Sequence, residues 1–92
     1  MLRLVTIDLR NADVTAFETY ETTALGQLSK HGGRLERRMR TLDGAQEIQI
    51  LRFPDEQAYG RFRDDPVRVA ARPIWDASGA TLSVVLVDDF AG

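Results

Sequence analysis

The chain has 92 residues, of which 43% are hydrophobic and 28% charged, with a formal net charge of −2. This composition describes a single globular domain over residues 1–92 and excludes a disordered tail, a collagen-like chain and a disulfide scaffold. There is no cysteine, which excludes disulfides, thiolate nucleophiles, iron–sulfur clusters and cysteine zinc sites. The small negative charge offers no bulk attraction to nucleic acid or anionic membranes. No apolar stretch is long enough to span a bilayer. The opening run Met1–Asp8 is too short and too charged for a signal peptide, so a cytoplasmic protein is expected.

In chain order, Leu2 to Leu9 is rich in β-formers, with Val5, Ile7 and Leu9 alternating on one side, and reads as a strand. Asn11 and Asp13 then offer helix N-caps. Val14, Phe17, Tyr20, Ala24, Leu25 and Leu28 recur at helical spacing and line one face, with Glu18 and Glu21 mostly outside that stripe. Lys30 and His31 suit the last turn of this helix, and Gly32-Gly33 stops it. Arg34 to Leu42 and Gln46 to Phe53 read as two strands joined by a hairpin at Asp43-Gly44. Asp55 caps a second helix carrying Ala58, Tyr59 and Phe62, and Asp65-Pro66 restarts it with Val67, Ala70, Ala71 and Ile74. Pro73 is expected to kink or end that segment. After Ser78-Gly79, Thr81 to Val87 is the fourth strand, and Asp88 to Gly92 a polar tail.

The order β-α-β-β-α-β is the ferredoxin-like split βαβ pattern. It predicts an α+β fold: one four-stranded antiparallel sheet, strands one and three central, both helices on one face. A hairpin turn at Asp43-Gly44 pairs Arg40 with Glu47, Met39 with Ile48, Arg38 with Gln49 and Arg37 with Ile50. It continues with Glu36–Leu51, Leu35–Arg52 and Arg34–Phe53. The face carrying Leu35, Met39, Ile48 and Ile50, with Arg37 and Arg52 intruding, is then expected under the helices. Arg34, Glu36, Arg38, Arg40, Glu47, Gln49, Leu51 and Phe53 are expected on the open face, together with Leu2, Leu4 and Thr6. The last strand is apolar on both sides, Leu82, Val84 and Leu86 against Val85 and Val87, which calls for cover on both. A lone chain of this size is short of core, burying only ~60–65% of its unfolded surface. A second copy on the open face, an isologous homodimer, is the expected partner.

Candidate chemistry is sparse. No catalytic triad, metal set, P-loop or dinucleotide fingerprint is present, and neither a metal nor a cofactor is expected. His31 is the only histidine, the one side-chain type whose unperturbed titration falls near neutrality. It is the candidate proton-transfer residue, beside Arg34 across the Gly-Gly turn as an anion clamp. The plain alternative for His31 is a cation satisfying the carbonyls of a helix end. Tyr20 is a candidate ligand contact or a core aromatic. Trp75, beyond Pro73, is a candidate pocket wall or dimer contact. Arg72 can join the site or merely pair with Asp76. Only Lys30 of the twelve basic residues is lysine. Arg34, Arg38 and Arg40 share one side of an edge strand. There they either blunt aggregation or line an entrance for a carboxylate, enolate or phenolate. Asp8 and Asp88 fall at opposite ends of antiparallel strands and do not form a carboxylate pair.

Tyr20 with His31-Gly32-Gly33-Arg34, Arg52-Phe53-Pro54-Asp55 before the second helix, Asp65-Pro66, Arg72 and the apolar last strand together make the chain resemble the dimeric α+β-barrel superfamily. The resemblance is greatest to its small bacterial proteins of unknown function, with antibiotic-biosynthesis monooxygenases and EthD-like proteins as related branches. It implies two ferredoxin-like subunits closing into a barrel, and a cavity that binds or converts a small organic molecule, often without a cofactor. The heme-degrading branch needs an Asn, Trp and His in a set arrangement that His31 and Trp75 do not match. Three functions therefore stand open: binding of a small anionic or aromatic molecule, a cofactor-independent monooxygenase or isomerase, and a non-catalytic accessory or regulatory dimer. Whether the chain is an enzyme at all is left open.

Overall fold

The computed structural model describes residues 1–90. Of the expected polar tail, Ala91 and Gly92 lie outside the described residues. The elements are β1 (Leu2–Asp8), α1 (Val14–Leu25), a 3₁₀ turn (Leu28–His31), β2 (Arg34–Arg40), β3 (Gln46–Arg52), α2 (Glu56–Arg63), α3 (Pro66–Ser78) and β4 (Thr81–Val87). One antiparallel sheet runs in the order β2-β3-β1-β4. This is the expected ferredoxin-like fold, with β1 and β3 central and the helices on one face. The molecule is a slab of 36 × 35 × 16 Å.

Local chemistry explains the element ends. Asp13 is extended and its carboxylate accepts the Ala16 N–H at 3.1 Å, capping α1. Asp55 caps α2 through the Ala58 N–H at 2.8 Å, and Asp65 caps α3 through the Val67 N–H at 2.8 Å. Each cap satisfies a donor that has no partner inside its helix. The first helix ends earlier than its apolar spacing predicts. Gly26 follows Leu25, and a 3₁₀ turn then carries Leu28 into the core. Gly32 ends that turn in the left-handed region at φ 71°. The second helical segment is two helices, α2 and α3, rather than one interrupted helix. Pro73 does not end α3, which continues to Ser78. The N–H that proline lacks would have served the Val69 carbonyl, and both residues lie on the exposed side, where water can replace it.

The hairpin follows the expected register from Arg40–Glu47 to Arg37–Ile50, and then a bulge at Glu36 pairs Leu35 with Leu51 and Arg34 with Arg52. The extra residue turns Leu35 toward the helix-side core, against which it packs. The faces of the hairpin are the reverse of those expected. Val5 and Ile7, which face the helices, pair with Gln49 and Glu47. Gln49, Glu47, Leu51, Phe53, Arg38 and Arg40 therefore lie on the helix side, and Met39, Ile48 and Ile50 on the open side. Counting apolar residues favoured the opposite assignment. Two factors outweigh that count: burial of Phe53 and Leu51 with Ile7 and Phe17, and a network that satisfies the polar groups. The open face is consequently more apolar than expected, carrying Leu4, Met39, Ile48, Ile50, Val85 and Val87.

Candidate functional site

Between the sheet and the helices lies a cavity of about 200 Å³. β1 contributes Val5 and Ile7, β3 Gln49 and Leu51, and β4 Leu82 and Val84. α1 supplies Tyr20, Glu21, Ala24 and Leu25, α2 supplies Tyr59, Phe62 and Arg63, and α3 supplies Arg68 and Arg72. An apolar cavity of about 150 Å³ is enough to take up benzene, so a single ring is the scale of ligand this space suits.

The polar side of the cavity centres on Glu21, a carboxyl only 6% exposed. Its Oε2 accepts a hydrogen bond from Gln49 Nε2 at 3.0 Å, and the same Nε2 donates to Glu47 Oε2 at 2.7 Å. Glu47 is 1% exposed and its charge is met by Arg38 at 2.8 Å and Arg40 at 2.7 Å. Arg40 also pairs with Glu18. Burial pushes the Glu21 carboxyl above its ordinary value, against the hydrogen bond from Gln49. Burial pushes Glu47 the same way, but the bonds from Arg38, Gln49 and Arg40 outweigh it and hold that carboxyl below its usual range. Two neighbouring acids thus differ because one has cationic donors and the other an amide. Burial also raises the Tyr20 phenol, which therefore remains a hydroxyl at neutral pH.

Most arginines are matched by carboxylates. Arg3 pairs with Glu56, Arg10 with Asp8, Arg34 and Arg52 with Glu36, and Arg38 and Arg40 with Glu47. Arg37, Arg61, Arg68 and Arg72 are not matched among the described residues, and of these only Arg68 and Arg72 reach the cavity, four positions apart on α3. The Arg68 guanidinium lies 4.7 Å from the centre of the Phe62 ring and donates to the Arg63 carbonyl at 2.9 Å, while its Nε is buried without a partner.

The structure separates the residues singled out in the sequence. Tyr20 and Arg72 line the cavity. Trp75 packs on Tyr20 and Phe17, with ring centres 5.4 and 6.1 Å away, and joins α1 to α3 rather than walling the space. His31 borders an open groove with Gln57, Arg61 and Asp65. Its Nε2 lies 2.8 Å from Asp65 Oδ2, and Lys30 Nζ lies 2.9 Å from the same oxygen. Arg34 borders a different depression with Met1, Arg52 and Pro54. Neither His31 nor Arg34 is brought to the cavity. Gly33 closes on protein rather than ligand, since a Cβ there would lie 2.6 Å from Phe53 Cε1. Glu21, Gln49 and Arg68 were not marked by the sequence. Glu21 directly follows Tyr20 and lies four residues after Phe17, and that adjacency to the apolar stripe was the available sign. Among the described residues no group of three or more His, Asp or Glu is placed to hold a metal, and no helix is long and apolar enough to cross a membrane.

The class this geometry defines is a ferredoxin-like α+β domain, and solved structures share that fold. No protein-family model matches the sequence, and neither does any curated protein. SnoaB, a cofactor-independent oxygenase from Streptomyces nogalater, superposes with a TM-score of 0.70 at 15% identity, over 97% of this chain and 93% of that one. A putative antibiotic biosynthesis monooxygenase from Nitrosomonas europaea gives 0.67 at 8% identity, over 95% and 98%. An uncharacterized NIPSNAP domain protein from Burkholderia xenovorans gives 0.62 at 15% identity, over 100% and 99%. The structural neighbours are thus antibiotic-biosynthesis-monooxygenase-like ferredoxin-fold proteins, together with proteins of no assigned activity. At such identities the likeness is one of fold.

Proposed function

We propose that this chain acts as a cytoplasmic homodimer that binds a small anionic or aromatic organic molecule in the cavity between its sheet and helices. The supporting observation is the lining. A mostly apolar cavity of single-ring size carries two arginines, Arg68 and Arg72, neither within salt-bridge distance of a carboxylate among the described residues. Arg68 is half-buried with its Nε left without a partner, and an anionic ligand supplies the missing charge-assisted bond.

The test is a thermal-shift panel of single-ring carboxylates and phenolates. A ligand that binds only the native state raises stability by about 2.7 kcal/mol at a hundredfold excess over Kd. Val84→Phe fills the cavity from β4 and is expected to abolish that shift while keeping the circular dichroism of the parent. A panel that shifts nothing favours a non-catalytic accessory dimer instead.

Catalysis is the second reading, favoured by a buried carboxyl in the same cavity and by the likeness to SnoaB. On this reading the cavity serves a cofactor-independent oxygenase or isomerase acting on an enolisable or phenolic substrate. Turnover of such a compound, lost in Glu21→Gln and Arg72→Ala, is the result that would establish it.

A further inference from the structure

Glu21 is only 6% exposed, and its hydrogen bonding is directional. A Gln side-chain amide has two N–H donors and one acceptor oxygen. Gln49 uses its amide nitrogen on Glu21 Oε2 at 3.0 Å and on Glu47 Oε2 at 2.7 Å, so both donors are committed to carboxylate oxygens. Glu21 Oε2 is therefore an acceptor, and a proton on this carboxyl belongs on Oε1. That oxygen has no hydrogen-bond partner among the described residues, and Glu21 lines the cavity.

The charges around Glu21 come from β2, β3, α2 and α3. Glu47 on β3 opposes ionisation of Glu21, while Arg38 on β2 and Arg68 on α3 favour it. Tyr20, Arg63 on α2 and Arg72 on α3 line the same space. An anion seated against Arg68 and Arg72 cancels part of the positive field that keeps Glu21 charged and adds a like charge beside it. Both effects drive a proton from solvent onto the carboxyl.

Resting on the cavity reading above, we propose that Glu21 is the ligand-selecting acid of this site. It takes up one proton as a single-ring carboxylate or phenolate enters, and it donates the new Oε1–H to the anion's oxygen while Arg68 and Arg72 hold the charge. One O–H bond forms and none breaks within the ligand. The preferred ligand carries an anionic oxygen, and its neutral amide counterpart is discriminated against.

Benzoate is the probe and benzamide the neutral control. Titration calorimetry at pH 7 in buffers of different ionisation enthalpy is expected to show close to one proton taken up per benzoate. Affinity should fall about tenfold per pH unit once the free carboxyl is ionised, and benzamide should bind without proton uptake. Glu21→Gln supplies a permanent N–H donor, so the variant should bind benzoate with no proton uptake and a flat profile from pH 6 to 8. Binding of benzoate by the parent without proton uptake, or uptake that persists in Glu21→Gln, overturns the proposal and leaves the cavity reading intact. Failure of benzoate and all the panel acids to bind overturns both. A carbon-13 carboxyl titration gives an independent check: Glu21 is expected to be ionised at pH 7 in the ligand-free protein and protonated with benzoate bound, and a Glu21 that stays ionised in the complex also overturns the proposal.

Discussion

Two glycines show how the surroundings of a single residue decide its role. Gly33 is buried against Phe53, where an added Cβ would come within 2.6 Å of Cε1 and 3.1 Å of Leu28 Cδ2. Gly60 lies inside α2 with nothing within 4 Å of a Cβ placed there. Gly33→Ala must therefore displace a core aromatic and is expected to cost about 1–3 kcal/mol, the range of overpacking. For a domain of this size each kcal/mol is worth roughly 4–8 °C in Tm. Gly60→Ala removes backbone freedom from the unfolded chain and should gain about 0.5–1 kcal/mol. Thermal unfolding of the two variants should move Tm in opposite directions, and a neutral Gly33→Ala would mean that the Phe53 contact is loose. From sequence alone Gly33 read as a helix stop or a place for a ligand to approach. What approaches is Phe53, twenty positions away, which no local pattern reveals.

At the scale of elements, the 3₁₀ turn is tied to the start of α3 through Asp65, whose side chain is 3% exposed and meets both His31 and Lys30. The hydrogen bond from His31, then that from Lys30, holds the Asp65 carboxyl well below the usual range. A folded-state pKa below the unfolded one gives stability that is present above the ordinary aspartate value, about 3.9, and lost as pH falls below it. Asp65→Asn keeps an N-cap, since Asn caps about as well as Asp, but loses the charge. The variant should be less stable than the parent at pH 7, with the gap closing below about pH 4. Urea midpoints across that range measure it, and a gap independent of pH would show that the charge at Asp65 is immaterial.

The order of elements was legible in the sequence because periodicity and caps are local. The faces of the hairpin were not. A period of two says which residues share a side, but not which side meets the helices. That choice lay with the pairing of Val5 to Gln49 and Ile7 to Glu47, a long-range fact. Glu47 and Gln49 looked solvent-bound because buried polar residues are rare, yet here Arg38 and Arg40 accompany them inward. Misplacing that face also hid the site. With Gln49 assigned to the open side, only its adjacency to the apolar stripe pointed to Glu21 as buried, and His31 drew notice for its chemistry alone.

For the whole molecule, the slab is 16 Å thick and has one helix layer, which leaves Leu4, Met39, Ile48, Ile50, Val85 and Val87 on the uncovered side of the sheet. Val85 is 50% exposed, and Leu4, Ile48 and Ile50 are partly so. A contiguous apolar face of this kind on a small domain is a mark of an interface. Under the homodimer proposed above, this face is self-complementary. A charge at its centre would then be buried twice, once from each copy and close to the symmetry axis. Ile50→Glu is expected to convert the dimer to monomer, because two like charges must lose water without a counter-ion. Sedimentation velocity at micromolar concentration should show about twice the chain mass for the parent and the single-chain mass for the variant. Arg37→Glu, at the margin of the same face on β2, should shift the equilibrium much less, since an exposed rim charge contributes little. A parent that sediments as a monomer at that concentration removes the second copy, and the apolar face then needs a different partner.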